Sequence, residues 1–174
     1  MRDQMQNDGS SSGQRLELER GSIAWTPCHI GRGTRIGENC SIGALVHVGR
    51  EVVLGDECRI QGGAYLADGC VLGDRVFLGP NSTLLNDKYP PSGNPLQWQP
   101  AHIHNGAVIG GGATIIAGCS VGQNAVLGAG STLTRNIPDN EVWAGNPAVF
   151  LMMRNTYDEK QLQLKRESST SEEK

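Results

Sequence analysis

Aliphatic residues recur at every sixth position along most of this chain. The first run steps through Ile30, Ile36, Ile42, Val48, Leu54, Ile60, Leu66, Leu72, Leu78 and Leu84, and a second through Ile103, Ile109, Ile115, Val121, Leu127 and Leu133. Glycine usually follows each of them. A period of six fits neither a helix nor an alternating strand. It is typical of a parallel β-helix, where each hexad supplies a short strand and a corner, and about 18 residues make one triangular coil. The two runs predict a little over five coils.

A second position in each hexad is almost always small. It lies four residues after each aliphatic and holds Thr, Cys, Val, Ala or Ser throughout, as at Thr34, Cys40, Val46 and Ala64. All five cysteines fall in this phase, Cys28 included. Small residues near the corners of a narrow triangular core are expected to be buried. We therefore interpret the cysteines as small hydrophobic core residues, and expect no disulfides, catalytic thiol or metal.

The six-residue period is interrupted once, at "LLNDKYPPSGNPLQWQP", and then resumes. This predicts an all-β fold: a parallel β-helix over residues 22–138 with one inserted loop at 86–102. Residues 1–21 are polar and predict a disordered tail. Residues 139–157 are expected to cap the far end, with Trp143, Val149, Phe150, Leu151 and Met152 closing it, and Trp25 to cover the near end. Residues 158–174 are predicted to be a charged tail that starts, at most, as a short helix.

Composition excludes several classes. The net charge of −3 and a pI near 5.8 argue against a nucleic-acid binder. No apolar run reaches the roughly 18 residues of a membrane helix, and the N-terminus lacks the apolar segment of a signal peptide. We therefore expect a soluble cytoplasmic protein without nucleic-acid or membrane partners. Three flat exposed faces favour a homotrimer, with ligand sites in the clefts between subunits.

The hexads, the single loop and "AGNPA" at 144–148 resemble the hexapeptide class of left-handed β-helix acyltransferases. That resemblance implies a left-handed coil, a trimer and an acyl-coenzyme A donor. A narrower resemblance lies in "WTPCHI", "IGENCSIG", "VFLGPN" and "NDKYP". These stretches are similar to N-acetyltransferases of nucleotide-linked amino sugars, which implies acetyl-CoA as donor and a small-molecule acceptor. The chain departs from that pattern at Gly62, Ala67-Asp68, Leu84-Leu85 and Pro91, which leaves the sugar unidentified.

The resemblance also assigns residues near the loop. It implies that Asn86 orients the acceptor amine, and Asp87 is expected either to accept its proton or to cap a turn. The substrate-binding candidates are His29, Gln61, Tyr65, Asp68, Lys88 and Tyr89. The spacing of His29 and His47 predicts a single outward column that continues through Tyr65, Thr83, Thr114 and Thr132.

The coenzyme is expected along the later coils, as in the family. Small residues there would leave backbone groups open to its pantetheine arm, and two arginines would meet its phosphates. The candidates are Gly111, Ala117, Gly118, Ala129, Gly130, Arg135 and Arg154.

Three other functions stay open. An O-acetyltransferase would need a stronger base, most plausibly a histidine, because an alcohol is a poor nucleophile. A trimeric metalloenzyme would need three histidines converging on one metal, which the spacing of His29, His47, His102 and His104 does not favour. A non-catalytic binding scaffold is the third, since a fold does not fix a function.

Overall fold

The computed structural model describes residues 13–171, and side chains up to residue 168. Nearly every strand is two residues long, and its second residue is the aliphatic of a hexad. The early strands are β1 (Arg15–Glu17), β2 (Ile23–Trp25), β3 (His29–Ile30), β4 (Arg35–Ile36), β5 (Ser41–Ile42), β6 (His47–Val48), β7 (Val53–Leu54), β8 (Arg59–Ile60), β9 (Tyr65–Leu66), β10 (Val71–Leu72), β11 (Phe77–Leu78) and β12 (Thr83–Leu84). The later elements are β13 (His102–Ile103), β14 (Val108–Ile109), β15 (Thr114–Ile115), β16 (Ser120–Val121), β17 (Val126–Leu127), β18 (Thr132–Leu133), β19 (Glu141–Gly145), β20 (Ala148–Met153) and the helix α1 (Arg154–Ser171).

These strands form three sheets, the faces of a triangular prism, and all pairs are parallel except β1–β2 and β19–β20. Face 1 has nine strands in the order β1-β2-β5-β8-β11-β14-β17-β19-β20. Face 2 has six, β3-β6-β9-β12-β15-β18, and face 3 has five, β4-β7-β10-β13-β16. The chain visits faces 1, 2 and 3 in turn, so each coil has a 1–2, a 2–3 and a 3–1 corner. The register survives the inserted loop, because Leu72 before it pairs with Ile103 after it.

The inside of the prism is a single column of apolar side chains. The hexad aliphatics from Ile42 onward are at most 2% exposed, and the small second positions between them are buried as well. The parallel β-helix predicted from the hexads is therefore confirmed. It is longer than the hexads alone predicted, because β2 opens a coil before Ile30, and an isolated bridge from Val121 to Ile137 followed by β19 extends the stack after Leu133.

Glycine follows the aliphatic because the coils stack closely at the corners. A Cβ built on Gly79 would lie 2.4 Å from the amide nitrogen of Gly111 in the next coil. No side chain fits at such a position unless the next corner changes shape. This is the physical reason for the second regular feature of the sequence.

The N-terminal end differs from the expected tail. Residues 1–12 of that predicted tail lie outside the described residues, but β1 pairs antiparallel with β2, Leu16 opposite Ala24. A polar edge strand needs only backbone partners, so composition gave no sign of it. Trp25 is 40% exposed and does not cover the end of the prism.

The C-terminal end also differs. Trp143 is buried and pairs with Leu127, but Val149, Phe150 and Leu151 are about half exposed, because β20 turns back as the outer strand of an antiparallel hairpin with β19. The expectation that these three close the prism was wrong. The predicted tail from residue 158 is helical as far as Ser171, as part of α1. Among the described residues, no helix combines the length and apolarity needed to cross a bilayer.

Candidate functional site

The inserted loop leaves the prism after β12 and returns at β13, on the 2–3 corner. Its two ends are joined, since the amide of Gln99 donates to the carbonyl of Asn86 over 2.6 Å. The amide of Gly118 in the next coil donates to Gln99 in turn, over 2.7 Å. The loop thus closes on itself at its base and leaves the corner stack continuous. One 3₁₀ turn, Pro95–Gln97, lies within it and is capped by the side chain of Asn94.

Asn86 lies at the base of the loop. Its side-chain amide donates to the main-chain carbonyl of Asp68 in the coil before, over 3.1 Å. Among the described residues, no donor is assigned to its side-chain oxygen. One half of the carboxamide is therefore anchored, and the other half is available to a ligand.

Asp87 and its neighbours lie further out. The carboxylate of Asp87 accepts the amides of Tyr89 and Ser92 at 3.2 and 2.9 Å. The bond from Ser92 is the main reason that the pKa of Asp87 lies below its ordinary value. These contacts are those of a turn cap, the second of the two roles expected for this residue. Tyr89 is 79% exposed on the loop surface.

Asp68 is held more firmly than any other candidate. Its Oδ1 accepts the amide of Arg50 at 2.7 Å, and its Oδ2 accepts two guanidinium donors of the same arginine at 2.8 and 2.6 Å. Partial burial acts to raise the pKa of Asp68. The bonds and charge of Arg50, with the nearby His47, outweigh it and leave this pKa below its ordinary value. Asp68 is accordingly a carboxylate at neutral pH.

Asp68 lines a cleft of about 610 Å³ between the 2–3 corner and the loop. We call it the acceptor cleft; it is lined by Arg32, Arg50, Glu51, Asp68, Gly69, Pro95, Trp98 and Pro100. Of these residues, only Asp68 is among the substrate-binding candidates predicted from the sequence. Arg32 and Arg50 have the hexad spacing that places them in the corner column of Asp68, so their proximity was accessible from the sequence. The position of Trp98, folded back over this corner, could not be predicted from the sequence.

The predicted outward column is confirmed. His29 pairs with His47, His47 with Tyr65, and the column continues on face 2 through the three threonines. The imidazoles of His29 and His47 stack with centroids 4.6 Å apart, and Tyr65 stacks on His47 at 4.8 Å. The column adjoins the acceptor cleft, since the cleft residues Arg50 and Asp68 each follow a column residue, His47 and Tyr65, by three positions. Gln61 lies apart, on the 1–2 corner at the other edge of face 2.

The coenzyme candidates are dispersed over all three corners. Gly111, Ala129 and Gly130 lie on the 1–2 corner, and Ala117, Gly118 and Arg135 lie on the 2–3 corner. Arg154 sits against the 3–1 corner, where its guanidinium donates to the carbonyl of Asn124 and to Asp158, both over 2.8 Å. Arg135 lies over the ring of Trp143, 5.0 Å from its centroid. One chain does not gather the seven residues into one site.

Two of the corners differ in the pairing of their amides. On the 3–1 corner, side chains from the next coil cap them: the amides of Glu38, Asp56, Asp74 and Gln123 donate to Asp56, Asp74, Asn105 and Asp139. On the 1–2 corner, the amides of Gly111 and Ala129 have no acceptor among the described residues, and these turns carry almost no side chains. The 1–2 corner therefore has backbone donors that no described residue satisfies, and we call residues 110–112 and 128–130 the open corner.

The cysteines behave as core residues. Four of the five are at most 5% exposed, and none is disulfide-bonded among the described residues. Burial raises the pKa of Cys70 to about 11, so its thiol stays protonated at neutral pH. Within residues 13–171 there is no group of three or more His, Cys, Asp or Glu side chains close enough to hold a metal ion.

Comparison with known proteins gives the family. The family model described as "Bacterial transferase hexapeptide (six repeats)" matches residues 33–68, 51–86 and 100–135, more than half of the chain. The chain belongs to this hexapeptide transferase family, and its fold is the left-handed parallel β-helix. No curated protein matches the sequence.

Similar solved structures include proteins in complex with coenzyme A or acetyl coenzyme A. PerB from Caulobacter crescentus, in complex with CoA and GDP-perosamine, is 26% identical with a TM-score of 0.66, over 75% of this chain and 57% of that one. WeeI from Acinetobacter baumannii is 25% identical with a TM-score of 0.64, over the same shares of the two chains. The acetyltransferase domain of PglB from Neisseria gonorrhoeae, in complex with acetyl coenzyme A, shares the fold at 21% identity, with a TM-score of 0.57 over 76% and 58% of the two chains. This chain thus spans less than two thirds of each of them.

Proposed function

We propose that this protein transfers the acetyl group of acetyl-CoA to the amino group of a nucleotide-linked amino sugar. Membership of the transferase family supports the acyl transfer, and the complex of PerB with CoA and GDP-perosamine supports the donor and the acceptor class. The observation that carries the proposal is the arrangement at the loop base. There Asn86 is anchored to Asp68, and the Asp68 carboxylate is fixed by Arg50 at the edge of a ligand-sized cleft.

The reaction makes modest demands on these side chains. The neutral amine attacks the thioester carbonyl, a C–N bond forms, the C–S bond breaks, and the amine proton is lost as the thiolate of CoA gains one. An oriented amine is already a good nucleophile, so positioning supplies much of the rate. The free side-chain oxygen of Asn86 would accept one amine hydrogen, and Asp68 would attract and orient the amine. Because Arg50 keeps Asp68 ionised, the carboxylate is always available for this contact.

The coenzyme is assigned to the open corner. The pantetheine arm carries amide carbonyls that match the free amides of Gly111 and Ala129, and the absence of side chains there permits close approach. Within one chain this corner and the acceptor cleft lie at opposite edges of face 2. We therefore include a homotrimer in the proposal, in which the open corner of one copy faces the acceptor cleft of the next. We place the reaction in the cytoplasm, where acetyl-CoA is at hand.

Asn86→Ala tests the acceptor role. We expect kcat to fall at least about tenfold, because the amine loses its orienting acceptor. The dissociation constant for acetyl-CoA, measured by calorimetry, should not change. Asn155→Ala is the matched control, since Asn155 lies at the far end of the molecule and should leave both quantities unaltered. Full activity of Asn86→Ala would refute the assignment.

O-acetylation is the second candidate, and the position of His47 favours it. His47 lies three residues before the cleft residue Arg50, and an imidazole can act as the base that activates a hydroxyl. The reactivity of the product distinguishes N-acetylation from O-acetylation, because neutral hydroxylamine cleaves an acetyl ester and leaves an acetamide intact. We expect the acetylated product to resist it.

A further inference from the structure

The acceptor cleft has a balanced charge. Its lining holds two guanidinium groups and two carboxylates. Arg50 is committed to Asp68 through three hydrogen bonds. Arg32 and Glu51 have no salt bridge among the described side chains. The cleft therefore offers two unpaired planar polar groups of opposite sign, without the excess positive charge that would attract a phosphate.

The loop contributes three apolar residues to the lining of the cleft, Pro95, Trp98 and Pro100. Trp98 is partly buried. Its indole N–H is enclosed and has no hydrogen-bond acceptor among the described residues. Because this N–H is enclosed, the part of Trp98 that can contact a ligand in the cleft is its ring.

We propose that the acceptor cleft binds a neutral polyhydroxylated sugar ring on the indole of Trp98, with Arg32 and Glu51 bonded to its hydroxyls. This inference rests on the proposed function, and it assigns to the cleft the ring of the acceptor and not its diphosphate. A pyranose has an apolar C–H face that suits an aromatic platform and an edge of hydroxyls that each donate and accept. A guanidinium can donate to two neighbouring hydroxyls, and a carboxylate can accept from two.

The balanced charge of the cleft favours a sugar ring over a diphosphate. A diphosphate would gain from Arg32 but would be repelled by Glu51 beside it, and Arg50 is already neutralised by Asp68. A neutral ring uses both unpaired groups. A sugar that lacks one of these hydroxyls, or carries it in the other orientation, loses its bond to Arg32 or Glu51. We therefore infer that Arg32 and Glu51 determine which sugar is accepted.

Calorimetry on the full chain tests this inference. The probes are the methyl glycosides of 2-acetamido-, 3-acetamido- and 4-acetamido-glucose, which carry no charge, together with inorganic pyrophosphate and UDP. We expect at least one glycoside to bind, with an affinity that changes less than about twofold between 50 and 200 mM salt, since no net charge is involved. Pyrophosphate should neither bind in the cleft nor displace the glycoside. Displacement by pyrophosphate, a steep loss of affinity with salt, or binding of no glycoside would overturn the inference.

Variants locate the binding. Trp98→Ala and Arg32→Ala should each lower the affinity for the glycoside at least about tenfold. Trp98→Phe should keep that affinity within about threefold of the wild type, because an aromatic ring remains for the sugar to stack on. Trp25→Ala is the matched control, an exposed tryptophan outside the cleft. Thermal unfolding checks that each variant is folded, and Arg32→Ala keeps the test valid if Trp98→Ala is not. Unchanged affinity in folded Trp98→Ala or in folded Arg32→Ala would also overturn the inference.

The two proposals fail separately. If the wild type binds the glycoside and acetylates no amine, the subsite stands and the proposed function is wrong. If it acetylates amino sugars with the same KM in Trp98→Ala and Arg32→Ala, the proposed function stands and the subsite is wrong.

Discussion

At the scale of single residues, the Arg50–Asp68 pair shows how a corner is adapted to a ligand. The corner carboxylate of Asp56, by comparison, caps the amide of Glu38 in the preceding coil. Asp68 makes the same contact with Arg50 and in addition receives its guanidinium. The result is a carboxylate of fixed position beside the loop base.

Arg50→Gln should make activity more sensitive to acid. In the wild type, the bonds from Arg50 hold the pKa of Asp68 below its ordinary value. Asp68 therefore stays ionised when the pH falls to the ordinary pKa of an aspartate. Without the guanidinium the pKa of Asp68 rises. On the acid limb of the kcat/KM profile, the ionisation that lies below that of the substrate amine should therefore move to higher pH. Arg50→Lys should reverse part of this movement. The other ionisable neighbours, Arg32, Glu51 and His47, are unchanged. An acid limb that does not move in Arg50→Gln would exclude Asp68 from the acceptor contact.

Ser82→Ala should stabilise the protein or leave it unchanged. The Ser82 hydroxyl is buried in the prism and has no hydrogen-bond partner among the described residues. Its removal relieves a desolvation penalty of about 1 kcal/mol or more. Ser22→Ala is the matched control and should cost about 1 kcal/mol, because Ser22 donates to Gly37 and accepts from Cys40. Urea unfolding measures both; equal losses in the two variants would contradict this account of the core.

At the scale of elements, the hexads predicted most strands to the residue. The aliphatic of each hexad must point inward and its neighbour outward, so the position of Leu78 fixes β11 and that of Leu127 fixes β17. The same phase predicted the column of His29, His47 and Tyr65. It had no bearing on β1, β20 or α1, which lie outside the repeat and depend on backbone pairing or local helix propensity. The fold of the loop over Asp68 also depends on contacts that no periodicity encodes.

Gly79→Ala should disturb the stacking of two coils. The added Cβ would lie 2.4 Å from the amide of Gly111, so the backbone must shift, at a cost of about 1–3 kcal/mol. Gly112→Asn is the control: nothing lies within 4 Å of its Cβ, and asparagine tolerates its φ of +66°. We expect a clear fall in Tm for the first variant and little change for the second. Equal Tm values would show that coil contact does not select these glycines.

At the scale of the whole molecule, the separation of the two half-sites is the main feature. Asn86 and Asp68 lie on the 2–3 corner, and the free amides of Gly111 and Ala129 lie on the 1–2 corner. A rigid prism cannot bring its own corners together. The account therefore needs neighbouring copies to complete each site.

Complementation between inactive variants tests this arrangement. Asn86→Ala disables the acceptor half, and Ala129→Glu places a negative charge on the exposed open corner, where it repels the coenzyme phosphates. Each variant alone should be nearly inactive. Trimers reassembled from an equal mixture should recover about a quarter of the wild-type activity, because random assortment joins an intact cleft to an intact corner at that frequency. No recovery, with mixed trimers shown by mass, would place both halves in one chain.

The most direct test of the central claim is transfer of a labelled acetyl group. The full chain is incubated with ¹³C-acetyl-CoA and a panel of UDP-, dTDP- and GDP-linked amino sugars, and the products are analysed by mass spectrometry and NMR. The account predicts that one amino sugar gains the label as an acetamide, with an equal release of CoA thiol, and that Asn86→Ala abolishes most of the gain. A label that reaches no amine in the panel, or one that appears only on a hydroxyl, would contradict it.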